Sequence, residues 1–273
     1  MAIVNTNAAY PPPHHVLRDL AMQVQSTSTV NRAWLPVTEH VCNERGRVLT
    51  GIVATMVDAI CGGLAAAIAA PGWIATADLS LHVAHPLIAD RELSAAARVR
   101  RAGRTTVILE SEIFADDDVD TPLAYCTASF SVLQRRESNP ILVAGGSDAE
   151  PRHAFVGESS EFQTNAYEAC GFRYLNDGVV EVNPSEYILN SLGGIQGGVL
   201  ASLVDAATVN TLGNDFETVD LHLVYVALAK VGPIVAVPTV LQCTPNNGAV
   251  SVELRDAGVP RCTTVATSIG ARW

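Results

Sequence analysis

One pattern occurs twice in this chain, and it constrains the fold more than any other feature. The first copy places Asn43, Gly46, Leu49, Thr50, Gly51, Thr55 and Asp58 in order; the second places Asn190, Gly193, Gln196, Gly197, Gly198, Ser202 and Asp205. Fifteen positions separate Asn from Asp in both copies, Gly follows Asn by three, Thr or Ser precedes Asp by three, and Val-Asp-Ala closes both. One asparagine at such a spacing carries no weight. A polar frame repeated around an apolar run indicates internal duplication.

The glycines are followed by runs of helical length with almost no polar residue, 52–70 and 199–212. A helix that is apolar all round is a buried helix. Asp58 and Asp205 are the only acids in these runs. An ionised carboxylate there is costly unless it is partnered or used. For either copy alone, a structural Asp bonded to a neighbouring loop explains the residue as well as a site does. The repeat and the upstream glycines favour a site. Glycine lets backbone approach a ligand closely, and the free N–H groups at a helix start favour a negative oxygen. A carboxylate two turns along, with such donors at the start, is equipment for attack on a carbonyl.

Around each copy the chain follows the same order. Residues 15–24 have helical spacing, 29–39 alternate like a strand, and the first buried helix stops at Pro71-Gly72. Strands are then predicted over 76–86, 92–101, 105–114 and 123–133. Residues 134–160, with Pro140, Gly145-Gly146-Ser147 and Pro151, read as a linker between an N-terminal unit, 1–133, and a C-terminal unit, 161–273. In the second unit, 161–171 is the counterpart of the first short helix. Strands follow over 178–187, 218–226, 234–243, 249–255 and 261–272, with a turn at Asn246-Asn247-Gly248. Strand meanders flanking single buried helices make an α+β chain with antiparallel sheet.

The totals exclude several classes. With 48% hydrophobic and 16% charged residues the chain has ample core material. A net charge of −11 argues against nucleic acid as a partner. No unbroken apolar run reaches the length of a membrane span, and no signal peptide is evident at the N-terminus. None of the six cysteines forms a Cys-x-x-Cys pair, which fits buried reduced thiols and a cytoplasmic location. His82, His85 and His222 lack the spacing of metal ligands. No serine sits in a Gly-x-Ser-x-Gly elbow and no Gly-x-Gly-x-x-Gly opens a helix.

The repeated frame, the Thr76-Ala-Asp78-Leu79 strand start, His85-Pro86 and the turn Arg100-Arg101-Ala102-Gly103-Arg104-Thr105 together resemble the PaaI-like acyl-CoA thioesterases. That family carries Asn-x-x-Gly-x-x-His-Gly-Gly followed by Asp on a hotdog fold. The resemblance covers nearly the whole chain and implies a tandem, or double, hotdog: each unit an antiparallel sheet wrapped around one long helix. It implies no cofactor beyond the coenzyme A of the substrate, no metal, and a homodimer of double-hotdog chains with neither nucleic acid nor membrane as partner. Asp58 and Asp205 take the place of the family's general base or nucleophile. The amides of Thr50 and Gly197 take that of the oxyanion hole, and Asn43 and Asn190 that of the residue positioning water or thioester. Thr76, with Thr218 as its counterpart, would support the Asp. Arg100, Arg101 and Arg104 are the best cluster for coenzyme A phosphates.

Because hotdog sites are shared across the interface, Asn190, Gln196 and Gly197 are expected to face Asp58, and Asn43, Leu49 and Thr50 to face Asp205; Gly198 belongs to the same candidate set. The family histidine is Leu49 in one copy and Gln196 in the other, and the first glycine is Thr50 in the first copy. Gln hydrogen-bonds and Leu does not, so the expectation is one competent site at Asp58 and an altered one at Asp205. Two rivals stay open: a hydratase or dehydratase on the same fold, and an acyl-CoA or lipid binder without turnover.

Overall fold

The computed structural model describes residues 10–27, 29–116, 118–134, 151–155 and 162–273. In the first half these form α1 (Val16–Asp19), β1 (Gln23–Ser26), β2 (Val30–Pro36), α2 (Thr50–Ala69), β3 (Trp73–Val83), β4 (Glu92–Ala102), β5 (Thr106–Ala115) and β6 (Ala124–Leu133). A two-residue strand, β7 (His153–Ala154), follows. The second half forms α3 (Ala166–Ala169), β8 (Arg173–Tyr174), β9 (Val180–Val182), α4 (Gly197–Leu212), β10 (Glu217–Tyr225), β11 (Ile234–Cys243), β12 (Asn247–Asp256) and β13 (Arg261–Ala271).

All strands belong to one antiparallel sheet in the order β7-β1-β2-β4-β5-β6-β3-β10-β13-β12-β11-β9-β8. The order is the same on either side of the β3/β10 seam, where Leu81 pairs with Leu221 and Leu79 with Leu223. Each half wraps its strands around its own long helix, and the two helices pack against each other. This is the hotdog architecture in tandem.

The reason lies in the helices. Fourteen of the twenty residues of α2 are buried, from Thr50 through Asp58 to Ala66. By length and composition α2 could cross a membrane, yet 67% of its most apolar window is buried inside the molecule, as a core helix requires. Alternation on the strands supplies the complementary face: in β5 the side chains of Val107, Leu109 and Ile113 point into the core.

Two sequence expectations are corrected. The helix predicted over 15–24 ends at Asp19, because Ala21 takes a left-handed backbone (φ 51°) and the chain turns into β1. Of the strand predicted over 178–187 only Val180–Val182 pairs, since the chain leaves the sheet before Pro184. Most of the predicted linker lies outside the described residues. Its described part does more than connect: β7 adds to the sheet edge beside β1.

Candidate active site

Glycine brings the two repeats together. A Cβ on Gly51 would lie 2.4 Å from Ser202 Cα, and one on Gly198 would lie 2.3 Å from Thr55 Cα. Real side chains do not fit at such distances, so the first turn of each long helix meets the second turn of the other only because both positions are glycine. Thr55 Oγ1 and Ser202 Oγ, 3.2 Å apart, mark the contact. The crossing sets the start of each helix beside the mid-helix Asp of the other.

At the first site, Asp58 accepts three hydrogen bonds. Thr76 Oγ1 donates to Oδ1 at 2.8 Å; Gln196 Nε2 and the Gly198 amide donate to Oδ2 at 2.7 and 3.1 Å. The other end of the Gln196 amide accepts from Val199 N at 3.0 Å, capping α4 and fixing the side chain in place. Burial pushes the Asp58 carboxyl up to about 6, against the opposing pull of Thr76 and the Gly198 amide. Tyr225 donates to Gly197 O at 2.8 Å and anchors the helix start. Gly197, the first helical residue, has no intrahelical acceptor for its N–H and lines the cavity that Asp58 faces. This cavity measures about 540 Å³, and Asp58 is the only charged side chain among the described residues on its wall.

The second site has the same skeleton and other side chains. The Gly51 amide donates to Asp205 Oδ2 at 2.8 Å, and Tyr167 Oη donates to the same oxygen. Leu49 occupies the place of Gln196, and Thr50 turns its hydroxyl to Thr218 O at 2.7 Å. Burial raises the Asp205 carboxyl, with Thr218, Tyr167 and the Gly51 amide opposing. The Thr218 hydroxyl is near enough to act electrostatically but makes no hydrogen bond of good geometry. The cavity here, about 690 Å³, is walled by Glu44, Arg45, Asp215 and Glu217, with Arg45 paired to Asp215 at 2.8 Å.

Tyr167 was not singled out by sequence. It reaches Asp205 because the short helices cross over. The His15 ring, which caps α1, bonds Leu189 O at 2.9 Å, while Asn165, which caps α3, bonds Cys42 O at 3.3 Å. Each short helix is thus fastened to the loop that precedes the other half's long helix. Two residues past each cap stand Leu17 and Tyr167. Leu17 lines the first cavity; Tyr167 reaches the carboxylate of the second. The signal available in the sequence was Asn165-x-Tyr167 aligned with His15-x-Leu17.

Two further groups of candidate residues have bonds of their own. Asn43 and Asn190 spend their side chains on their own loops. Asn43 Oδ1 accepts from Arg45 N and Arg47 N at 2.9 and 3.1 Å; Asn190 Oδ1 accepts from Leu192 N and Gly194 N at 2.9 and 3.1 Å. Each braces a turn in which Gly46 or Gly193 has φ 72°, which explains the Asn-x-x-Gly spacing. Both asparagines also lie on a cavity wall, Asn190 on the first and Asn43 on the second. Arg100, Arg101 and Arg104 line neither cavity; Arg100 is paired to Glu110 on the outer face of the sheet.

No family model and no curated protein matches the chain. Solved structures do. The tesB protein of Mycobacterium avium subsp. paratuberculosis is similar at TM-score 0.63 and 10% identity, over 94% of this chain and 97% of that one. An acyl-ACP thioesterase from Bacteroides thetaiotaomicron is similar at TM-score 0.58 and 10% identity, over 88% and 97%. A hot dog fold protein from Alicyclobacillus acidocaldarius is similar at TM-score 0.56 and 15% identity, over 94% and 97%. At these identities the likeness establishes the fold: the chain has the hotdog fold.

Proposed function

We propose that this chain hydrolyses acyl thioesters at one site, built on Asp58, Gln196, Thr76 and the start of α4, with coenzyme A as the carrier. The observation that carries this reading is a buried carboxylate, held by three donors, beside a helix start in a cavity that is otherwise uncharged. The name of one structural neighbour, an acyl-ACP thioesterase, supports it.

The thioester carbonyl oxygen binds at the Gly197 amide, where the α4 dipole favours developing negative charge. Asp58 takes a proton from water as the water oxygen bonds to the acyl carbon. The C–S bond of the resulting tetrahedral intermediate then breaks, and the proton passes to the departing sulfur. Hydrogen bonds spread over both carboxylate oxygens favour this proton transfer over direct attack by Asp58. A base titrating near 6 is ionised at neutral pH and still basic enough to work. The resemblance to PaaI-like enzymes favours coenzyme A over a protein carrier. Association of two chains belongs to the same reading: Val224 and Val265, paired across β10 and β13, are exposed on the outer sheet face.

Thiol release from butyryl- to palmitoyl-CoA, beside the same acyl groups on an acyl carrier protein, tests the reading. Release from the coenzyme A esters is expected; no release from any substrate would sink it, and release from the protein carrier alone would reassign the carrier.

A further inference from the structure

Two glycines stand inside α2 without a packing reason. Glycine in a helix interior costs about 1 kcal/mol against alanine. At Gly51 and Gly198 helix contact demands it. At Gly62 and Gly63 it does not. A Cβ there would meet Phe130 Cε1 at 3.5 Å or Asn31 Nδ2 at 3.6 Å, both ordinary contacts, and neither residue has a positive φ. What the pair does share is the wall of the first cavity. At the same distance past Asp205 the second half carries Val209 and Asn210. Open volume beside Asp58 is therefore what these glycines provide; at the matching positions the second cavity is lined by Val209 and Asn210.

That volume leads away from the carboxylate along one helix face. Asp58, Gly62 and Ala66 are spaced by four and line the cavity in sequence. Phe130 stands opposite. Tyr10, ahead of α1, and Phe155, from the segment between the two units, complete the wall. Tyr10 is held by its hydroxyl to Leu189 O at 3.2 Å, and Phe155 follows β7 and is held by its amide to Met22 O at 2.9 Å. Beyond Asp58 this arm has no charged side chain among the described residues.

We propose that this arm holds an unbranched aliphatic acyl chain, and that Gly62 and Phe155 set how long a chain fits. The proposal rests on the thioesterase reading and names its substrate selectivity. Apolar burial predicts a rise of roughly three- to fourfold in affinity for each added CH₂ until the arm is full. A larger side chain at 62 shortens the arm, and truncation at 155 opens its wall.

The test uses two readouts on the full chain: thiol release from acyl-CoAs of increasing length, and displacement of bound cis-parinaric acid by saturated fatty acids of the same lengths. For Gly62→Val, the longest accepted chain is expected to lose at least about tenfold more, in both readouts, than the butyryl group does. Gly62→Ala, which favours the helix, is expected to shift the same way by less and guards against misfolding. Phe155→Ala is expected to move the preferred length upward. Equal loss at all lengths in the Gly62 variants, or no length dependence in wild type, overturns the proposal. If fatty acids bind with the expected length limit but no thiol is released, the thioesterase reading fails and the channel stands. Thiol release without length discrimination means the reverse.

Discussion

The two carboxylates of this chain occupy equivalent places in equivalent helices and live in different surroundings. Asp58 sees an amide side chain, a hydroxyl and a backbone amide, and faces an apolar cavity. Asp205 sees a tyrosine hydroxyl and a backbone amide, and its cavity is walled by paired charges. Three exchanges make the difference: Gln196 against Leu49, Leu17 against Tyr167, and Gly62-Gly63 against Val209-Asn210. The backbone that presents a carboxylate to a helix start is common to both halves, so it cannot by itself confer the chemistry. On the proposed reading, the side chains that orient the carboxylate do so at Asp58. At Asp205 a tyrosine hydroxyl donates to the carboxylate instead.

Copying the second site onto the first tests this most severely. Gln196→Leu removes a donor to Asp58 and the cap of α4; thiol release is expected to fall on the order of 100- to 1000-fold. Retention of activity within threefold would make Gln196 dispensable. Thr76→Val removes a single charge-assisted bond, and roughly a tenfold loss is expected at pH 7. The sign of its pH effect is fixed. The base must be ionised, so kcat/KM of wild type falls as pH drops below about 6. Loss of the Thr76 donor raises that carboxyl further and moves the acid limb to higher pH. A limb that stays put or moves down contradicts the assignment of Asp58 as the titrating base.

Stability sharpens the same contrast. The folded protein holds Asp58 near 6 against an ordinary value of 3.8, so the folded state binds the proton more tightly and this group's contribution is lost as pH rises through about 6. Asp58→Asn is therefore expected to be more stable than wild type at pH 7.5, by up to about 3 kcal/mol, and the advantage should vanish near pH 4. Thermal unfolding at the two pH values measures it. Tyr167→Phe leaves Asp205 short of a donor and should cost roughly 1–3 kcal/mol while thiol release stays within about twofold. A large fall in turnover would show that the second site works.

Much of this was legible in the sequence, for a physical reason: the repeat encodes backbone geometry through glycine, and side-chain chemistry through the residues it frames. Gln196, Gly198 and Thr76 meet Asp58 because motif spacing and helix pitch fix their relative positions. Tyr167 was not legible, since it acts from a four-residue helix whose crossing to the other half is a tertiary event. That the asparagines brace their own turns was not legible, because Asn serves both to bind a ligand and to brace a turn. The pairing of Arg100 with Glu110 was not legible either, because proximity to a turn does not say which face of a strand a side chain takes.

The central claim is that one of two like-placed carboxylates does the chemistry. Thiol release from the preferred acyl-CoA, measured for Asp58→Asn and Asp205→Asn side by side, tests it most directly. The account predicts a loss of about 1000-fold or more for Asp58→Asn and no more than about threefold for Asp205→Asn. Equal losses in the two variants, or the larger loss at Asp205, would contradict it.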